Sequence, residues 1–215
     1  GSITSVETAA VALAEGDREK PLVGVRRLMA EKMRISKEHI PHFSYFESVE
    51  ASRIVDLREK LKQKGLEEGL HVTFMPFFIR ALSLCIKKYP EINSSLDESV
   101  NKLVIHSHQH IGVAVATPQG LVVAVLRDAQ DMSLNTLIRA YEDIKKRAGN
   151  GQLQPSETKG STITVSNFGV FGGNGLWATP IINFPEAAIL AVDRIQKQPV
   201  VKNNEIAVKD VLNVS

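Results

Sequence analysis

The sequence is poor in several features, and each absence narrows the class of protein. Its 215 residues include one cysteine, Cys85, so no internal disulfide can form, which fits a reducing compartment. The 26 Lys and Arg residues are nearly balanced by 24 Asp and Glu, for a net charge of +2. No basic excess therefore marks a nucleic-acid or anionic-membrane surface. No apolar run approaches the roughly 20 residues of a transmembrane helix, and no signal peptide follows Gly1 and Ser2. These absences predict a soluble intracellular domain.

Composition and periodicity predict an α+β domain. Hydrophobic residues make up 43% of the chain and charged residues 23%, as in ordinary globular proteins. Residues 1–20 are small and polar and are interpreted as the tail of a linker, which leaves residues 21–215 as the domain. Apolar residues at helical spacing predict helices within 25–33, 52–65, 73–90 and 134–147. Extended patterns predict strands at 43–49, 110–116, 121–126, 161–166, 187–192 and 211–215, with a hairpin turn at Asn203-Asn204.

Four of the six histidines are considered as candidates for a chemical role. His106, His108 and His110 alternate along a predicted strand and therefore share one of its faces. Three imidazoles on one face could bind zinc, but metal sites usually take ligands from separated segments and orient them with further hydrogen bonds. We interpret the three residues as a polar strand face and assign no metal site. His42 is interpreted as a hydrogen-bonded structural histidine.

Other features have a structural interpretation beside the chemical one. Cys85 falls on the apolar side of its helix, where a buried thiol acts as a small hydrophobe rather than as a nucleophile. The glycine-rich segment 169–175 lacks the spacing of a dinucleotide-binding loop and the Gly-Lys-Ser/Thr of a P-loop, so it predicts a flexible turn or bulge. The run 145–147 of three cations fits the solvated last turn of a helix.

Ser52 is interpreted as the N-cap of the second helix and Gly65 as its end.

Six short segments, taken in order, are more specific than any one motif. They are Ile40-Pro41-His42-Phe43, Thr73-Phe74-Met75-Pro76-Phe77, His110-Ile111-Gly112-Val113-Ala114, Gly120-Leu121-Val122-Val123, and the runs 160–169 and 179–186. Together they closely resemble the catalytic core of the dihydrolipoamide acyltransferases, the E2 components of 2-oxo acid dehydrogenase complexes. The resemblance covers about residues 21–215. It is nearest to the branched-chain members, through the first segment and the closing Leu212-Asn213-Val214-Ser215.

This resemblance implies a chloramphenicol-acetyltransferase-like α+β fold, in which helices pack on a mixed sheet in two layers. It implies trimers that build a hollow 24-subunit or 60-subunit core, and transfer of an acyl group from a lipoyl-lysine arm to the substrate coenzyme A. The lipoyl group belongs to a separate domain, and the E1 and E3 components bind through domains N-terminal of a linker like residues 1–20. No metal, nucleic acid or membrane is implied. The implied location is the bacterial cytoplasm or the mitochondrial matrix.

The resemblance also implies roles for individual residues. The family's oxyanion donor is the serine or threonine that matches Ser166, a residue that otherwise only ends a row of strand hydroxyls. The family's general base is the histidine of a C-terminal D-H-R-x-x-D-G motif, reached across the trimer interface. In branched-chain relatives, coenzyme A is contacted at positions that match Arg58, Thr73, Ser166 and Asn167. For Arg58 the alternative to this role is a surface charge that pairs with Glu59 or Glu50.

Several positions depart from the family pattern. The sequence stops at Ser215, where the D-H-R-x-x-D-G motif is expected to follow, so we expect these 215 residues alone to lack acyltransferase activity. Ala116 stands where relatives usually carry an aspartate near coenzyme A, Val170 replaces a frequent serine, and Asp193 replaces a glycine. Two hypotheses stay open: an acyltransferase core whose catalytic tail is missing from the sequence, and a non-catalytic E2-like scaffold subunit. The end within a predicted strand favours the first.

Overall fold

The predicted helices and strands occur in their predicted order, and the structure adds two short strands, at 94–97 and 102–105, that the periodicity did not predict. The computed structural model describes residues 11–97, 99, 101–118, 120–169 and 177–215. Within them the α-helices are α1 (Gly24–His39), α2 (Ser52–Glu67), α3 (Met75–Lys88) and α4 (Leu134–Gly149). The strands are β1 (Glu47–Glu50), β2 (Ser94–Asp97), β3 (Lys102–Ile105), β4 (Ile111–Thr117), β5 (Gly120–Leu126), β6 (Ile163–Asn167), β7 (Ile189–Val192), β8 (Gln196–Lys202) and β9 (Glu205–Val214). No helix of the described residues is long and apolar enough to cross a membrane.

One mixed sheet of seven strands organises the fold. Its order is β1-β9-β7-β6-β4-β5, and β8 pairs with β9 beside this path. Strand β6 is parallel to both of its neighbours, with Ser166 opposite Ala114 of β4 on one side and Ala191 of β7 on the other. The other pairs of this sheet are antiparallel, and β2 and β3 form a separate antiparallel pair. The predicted α+β class with a mixed sheet is confirmed.

Helices α3 and α4 cover one face of this sheet and form the main core with it. Their apolar faces pack against alternate residues of the central strands. The core of this layer includes Met75, Ile79, Leu82 and Ile86 of α3, Leu137, Tyr141 and Ile144 of α4, Ile111 and Val113 of β4, and Ile163 and Val165 of β6. Burying each large aliphatic side chain contributes roughly 1.5–3 kcal/mol, so this layer holds β4 and β6 against the two helices.

Three local details differ from the predictions. Cys85 is exposed, because the buried stripe of α3 passes through Leu82 and Ile86. Ser52 is the first residue of α2 and makes no side-chain capping bond. Gly65 lies inside α2 rather than at its end. A Cβ on Gly65 would come within 2.8 Å of a Val72 methyl group, so this glycine permits close packing rather than ending the helix.

Residues 106–110 form a connection rather than the predicted strand. Strand β3 ends at Ile105, and β4 begins at Ile111. The side-chain amide of Asn93, which is fully buried, donates to the carbonyls of His106 and His108 at 3.1 and 3.0 Å. One side chain therefore satisfies backbone groups that a neighbouring strand would otherwise pair.

Arg147, in the last turn of α4, forms a two-point ion pair with Glu157. Two guanidinium nitrogens lie 2.6 and 2.7 Å from the carboxylate oxygens, and a third donates to Asp143 at 2.8 Å. The hydrogen bonds from Arg147 lower the pKa of Glu157 to about 2. Because the folded state favours the ionised form, the pair stabilises the fold above the ordinary glutamate pKa and loses its effect as the pH falls toward the lowered value.

We expect Glu157→Gln to lower the free energy of unfolding by about 1 kcal/mol at neutral pH, because charge-assisted hydrogen bonds are lost at a solvent-screened site. Urea denaturation at a series of pH values measures this difference. It should shrink between the ordinary pKa of 4.5 and the folded value of about 2. Asp143→Asn removes the more exposed partner of the same arginine, is the matched control, and should cost less. A loss that does not depend on pH would contradict the assignment.

Candidate active site

A cleft of about 420 Å³ lies beside the carboxyl-terminal halves of β4 and β6, where α3 begins. Its walls come from α2, the segment before α3, α4 and the two strands. The lining residues are Arg58, Thr73, Phe74, Met75, Ala114, Val115, Ala116, Tyr141, Lys145 and Asn167. Three of the four residues assigned to coenzyme A, namely Arg58, Thr73 and Asn167, therefore meet in one cleft. The fourth, Ser166, is not part of its lining.

Arg58 is held in the cleft wall by contacts on both sides. Its Nε donates to the Val72 carbonyl at 3.1 Å, and its guanidinium carbon lies 5.1 Å from the centre of the Phe74 ring. Nη1 also pairs with Glu59, whereas Glu50 pairs with Lys202 instead. Arg58 therefore pairs with Glu59 at the surface and also lines the cleft, since the planar guanidinium offers several donors.

Thr73 carries a polar atom that the fold leaves without a partner. Its Oγ1 is buried and has no hydrogen bond within the described part of the chain. A buried hydroxyl without a partner costs free energy, so such an atom in a cleft wall fits a bound ligand. Asn167, which lines the cleft from β6, accepts the N–H of Gly169 at 2.9 Å through Oδ1, which fixes the orientation of its side chain.

Tyr141 and Lys145 of α4 line the cleft but were not among the residues predicted from the sequence. They are four residues apart, which places them on one helix face. This spacing between Lys145 and a core tyrosine is the sequence feature that could have indicated a lysine in the cleft. The run of cations had been interpreted as a solvated helix end, and for Lys145 that interpretation is incomplete. Burial raises the pKa of Tyr141 to about 12, so its phenol keeps its proton at neutral pH.

Ser166 lies on the other face of β6 from the core. Neighbouring side chains of a strand point to opposite faces, and Val165 points into the core below α3 and α4. The side chain of Ser166 is only 8% exposed, and its hydroxyl has no hydrogen-bond partner among the described residues. Its neighbour Asn167 belongs to the cleft, so Ser166 stands beside the cleft at the end of the same strand.

The other hydroxyl of β6, that of Thr164, has a structural role because it binds the buried carboxylate of Glu186. This carboxylate is 2% exposed, and one of its oxygens accepts hydrogen bonds from Ser161, from Thr164 at 2.9 Å and from Asn183 at 2.7 Å. Burial raises the pKa of Glu186. Thr164 therefore serves the packing of the loop before β7 against β6, whereas the hydroxyl of Ser166 stays available to donate.

The histidines divide into structural and clustered ones. His42 donates from Nδ1 to the Ile40 carbonyl at 2.9 Å and accepts the Ile182 N–H at Nε2, at 3.0 Å. The prediction of a structural histidine is confirmed. His106 pairs with Ser95 at 2.9 Å and so separates from the other two members of its predicted row. Those two contact Asp128, a residue that the sequence had not connected with them.

One of the departures from the family pattern, Ala116, lies in the cleft. The expected aspartate position is therefore a cleft position. Asp193 follows β7 and accepts the N–H of Arg194 at 2.7 Å through Oδ1, while its buried Oδ2 has no partner among the described residues. Val170 and most of the predicted glycine turn lie outside the described residues.

The comparisons with known proteins agree with this geometry. A family model, described as 2-oxoacid dehydrogenases acyltransferase (catalytic domain), matches residues 14–215. The chain belongs to this acyltransferase family. The resemblance inferred from six ordered segments is therefore confirmed.

Individual acyltransferase relatives match over almost the whole chain. The dihydrolipoyllysine-residue acetyltransferase component of the pyruvate dehydrogenase complex of Staphylococcus aureus is 36% identical, over 99% of this chain and 49% of that protein. A second relative, also 36% identical, is the lipoamide acyltransferase component of the branched-chain alpha-keto acid dehydrogenase complex of Pseudomonas aeruginosa. The match covers 100% of this chain and 50% of that protein. The chain thus spans about half the length of these curated relatives.

A solved structure of a multienzyme-complex core shares the fold. The cubic core of the pyruvate dehydrogenase multienzyme complex superposes with a TM-score of 0.89 at 28% identity, over 96% of this chain and 86% of that one. The two-layer arrangement of helices on a mixed sheet is therefore also the arrangement of that core.

We expect His42→Ala to lower the free energy of unfolding by roughly 1–2 kcal/mol, because the Ile40 carbonyl and the Ile182 N–H both lose a partner. Urea denaturation at pH 8 measures the change. His71→Ala is the control: His71 is exposed and faces Glu142 at 3.6 Å, so its loss should stay within about 0.5 kcal/mol. Equal stability of the two variants would contradict the structural role of His42.

Proposed function

We propose that this chain is the acyltransferase core of a 2-oxo acid dehydrogenase complex and transfers an acyl group from a lipoyl-lysine arm to coenzyme A. The observation that carries the proposal is the meeting of Arg58, Thr73 and Asn167 in one cleft. These residues come from three separate segments, and the resemblance independently assigns them to the same ligand. A non-catalytic scaffold subunit would need no such cleft.

The chemistry of the cleft fits the anionic part of coenzyme A. Arg58 and Lys145 both line it, and α3 begins there at Met75 without a side-chain cap on its first amides. Cations and the positive end of a helix dipole both stabilise phosphate groups. The unpartnered hydroxyl of Thr73 offers a further hydrogen bond. Ala116, in place of the aspartate of relatives, keeps a negative charge out of the cleft.

Ser166 supplies the hydrogen bond that the reaction needs in its transition state. The thiol of coenzyme A gives its proton to a base, and the thiolate attacks the carbonyl carbon of the acyl-dihydrolipoyl thioester. Negative charge then develops on the carbonyl oxygen, which the Ser166 hydroxyl stabilises by donating to it. Collapse of the tetrahedral intermediate restores the carbonyl and breaks its bond to the dihydrolipoyl sulfur, which takes up the proton held by the base.

The base comes from outside the cleft lining in this proposal. The lining includes no histidine among the described residues, and His42 uses both ring nitrogens on backbone groups. We assign the base to the family's D-H-R-x-x-D-G segment in a neighbouring subunit. Ala114 of β4, which lies opposite Ser166 in the pairing of β4 with β6, lines the cleft, so the serine borders the cleft on the β4 side of its strand.

Assembly into a homo-oligomeric core belongs to the same proposal. Several large apolar side chains remain exposed on the single chain, among them Phe43 at 85%, Tyr45 at 68% and Ile206 at 80%. Apolar surface of this kind marks interfaces between subunits. We propose trimers that build a 24-subunit or 60-subunit core. Residues 1–20 then act as the linker to lipoyl-bearing and E1- and E3-binding domains.

We expect Lys145→Ala to weaken the binding of coenzyme A about tenfold, because one charge-assisted contact to a phosphate is lost. Titration calorimetry on the full-length protein measures the dissociation constant. Lys146→Ala is the matched control, since Lys146 is the next residue of α4 and is not part of the cleft lining. The affinity of the Lys146→Ala variant for coenzyme A should equal that of the wild type. Equal weakening in both variants would point to a diffuse charge effect and would remove Lys145 from the site.

We expect Ser166→Ala to lower kcat by roughly 10²–10³-fold with little change in KM, because the lost hydrogen bond acts mainly in the transition state. A coenzyme A-dependent assay with acyl-dihydrolipoamide, run on the full-length assembled protein, measures both constants. Ser166→Thr keeps a hydroxyl and is expected to keep most of the activity. If Ser166→Ala were as active as the wild type, the serine would be a packing residue and the scaffold hypothesis would gain ground.

A further inference from the structure

Two histidines and an aspartate converge at the end of the sheet away from the cleft. His108 and His110 precede β4, and Asp128 follows β5, the antiparallel neighbour of β4. The ligand atoms offered by these three side chains all lie within 4.8 Å of one another. His108 is exposed and the other two side chains are partly exposed, so the cluster is open to solvent.

The spacing of the cluster suits a tetrahedral metal ion. Oδ1 of Asp128 lies 2.6 Å from Nδ1 of His108 and 3.7 Å from Nδ1 of His110. Ligands held at zinc-like bond lengths of about 2.0–2.2 Å with tetrahedral angles are separated from one another by roughly 3.4 Å. The two observed separations lie on either side of this value. Shifts of less than roughly 1 Å in solvent-accessible side chains would therefore admit an ion.

The donor atoms are those that zinc and its neighbours in the first transition row prefer. Nδ1 of His110 accepts the N–H of Asp128 at 3.1 Å, so this nitrogen is unprotonated and its lone pair points toward the Asp128 segment. A bound ion would take that lone pair in place of the amide. Two imidazoles and one carboxylate suit zinc, copper or nickel, whereas magnesium and calcium favour oxygen ligands throughout.

Buried and bridging polar groups hold the ligand segments in place. Asn93, which is fully buried, donates to the His108 carbonyl at 3.0 Å. Gln130 joins the two segments, since it accepts the N–H of Gln109 at 2.9 Å and donates to Oδ1 of Asp128 at 3.3 Å. Hydrogen bonds of this kind orient ligands around a metal. The sequence alone did not show these hydrogen bonds.

The neighbouring cations do not neutralise the carboxylate of Asp128. Arg127 directs its guanidinium to two backbone carbonyls of the turn 156–159, and His106 directs its Nε2 to Ser95. Within the described residues, the ion-pair partners of Asp128 are the two clustered histidines alone. The carboxylate of Asp128 therefore has no Lys or Arg partner among the described residues and is open to a divalent cation.

We propose that His108, His110 and Asp128 bind one divalent first-row transition-metal ion, of which zinc is the representative, with a coordination position left open to water. The ion would join the start of β4 to the end of β5. The site is separate from the acyl-transfer cleft, because His110 precedes the cleft residue Ala114 by four positions, roughly 13 Å along an extended chain. The proposal goes beyond the proposed function and does not depend on it.

Titration calorimetry with Zn²⁺ on the full-length protein, without a polyhistidine tag, tests the proposal. We expect one zinc ion per chain, and Co²⁺ in its place should give the visible absorption of a four- or five-coordinate site. His108→Ala and Asp128→Asn should each weaken zinc binding at least about tenfold. Asp128→Asn is suited to this test because Asp128 has a φ of 52°, a backbone region that asparagine also tolerates.

His106→Ala is the matched control, since His106 belongs to the same segment but faces Ser95. It should bind zinc as the wild type does. Circular dichroism shows whether each variant is folded, and if His108→Ala is not, Asp128→Asn decides alone. The proposal fails if the wild type binds no zinc at millimolar concentration, or if Asp128→Asn binds it as tightly as His106→Ala does.

Discussion

Strand β6 and its register determine the core and the site together, because the strand is buried on both faces. Ile163 and Val165 point into the core below α3 and α4, whereas Thr164 and Ser166 point to the face that Glu186 closes. Such a strand between parallel neighbours needs both of its faces filled. A shift of one residue would exchange the two faces. It would place hydroxyls in the apolar core and move both Asn167 and Ser166 away from the positions that they now hold.

The two ends of β4 have different chemistry. Near its carboxyl-terminal end, α2 and α4 bring Arg58 and Lys145 to the cleft beside Ala116. Before its first residue, the connection from β3 brings His108 and His110 to Asp128. Both groups are assembled by the same pairing of β4 with its neighbours. The sheet thus keeps a cleft lined by Arg58 and Lys145 apart from a cluster that offers metal ligands.

Local patterns were accurate where one interaction dominates. The turn at Asn203 and Asn204 was predicted from residue type, and both have positive φ values, of 53° and 63°, because asparagine tolerates this conformation. Patterns failed where a distant residue decides. Residues 106–110 alternate like a strand, yet the buried amide of Asn93 takes the place of a pairing strand. Gly65 resembled a helix end, yet its contact partner is Val72.

The sequence by itself determined the α+β class, the order of the elements and the family, since these follow from periodicity and from motifs that are contiguous in the chain. The resemblance carried by those motifs also grouped Arg58, Thr73, Ser166 and Asn167 as expected coenzyme A contacts. Only the tertiary structure decided that Arg58, Thr73 and Asn167 share one cleft with Lys145, that Ser166 points away from the core below α3 and α4, and that Asp128 completes the histidine cluster. The physical reason is that each of these arrangements joins residues from strands and helices far apart in the chain, and strand pairing and helix packing alone set the distances between them.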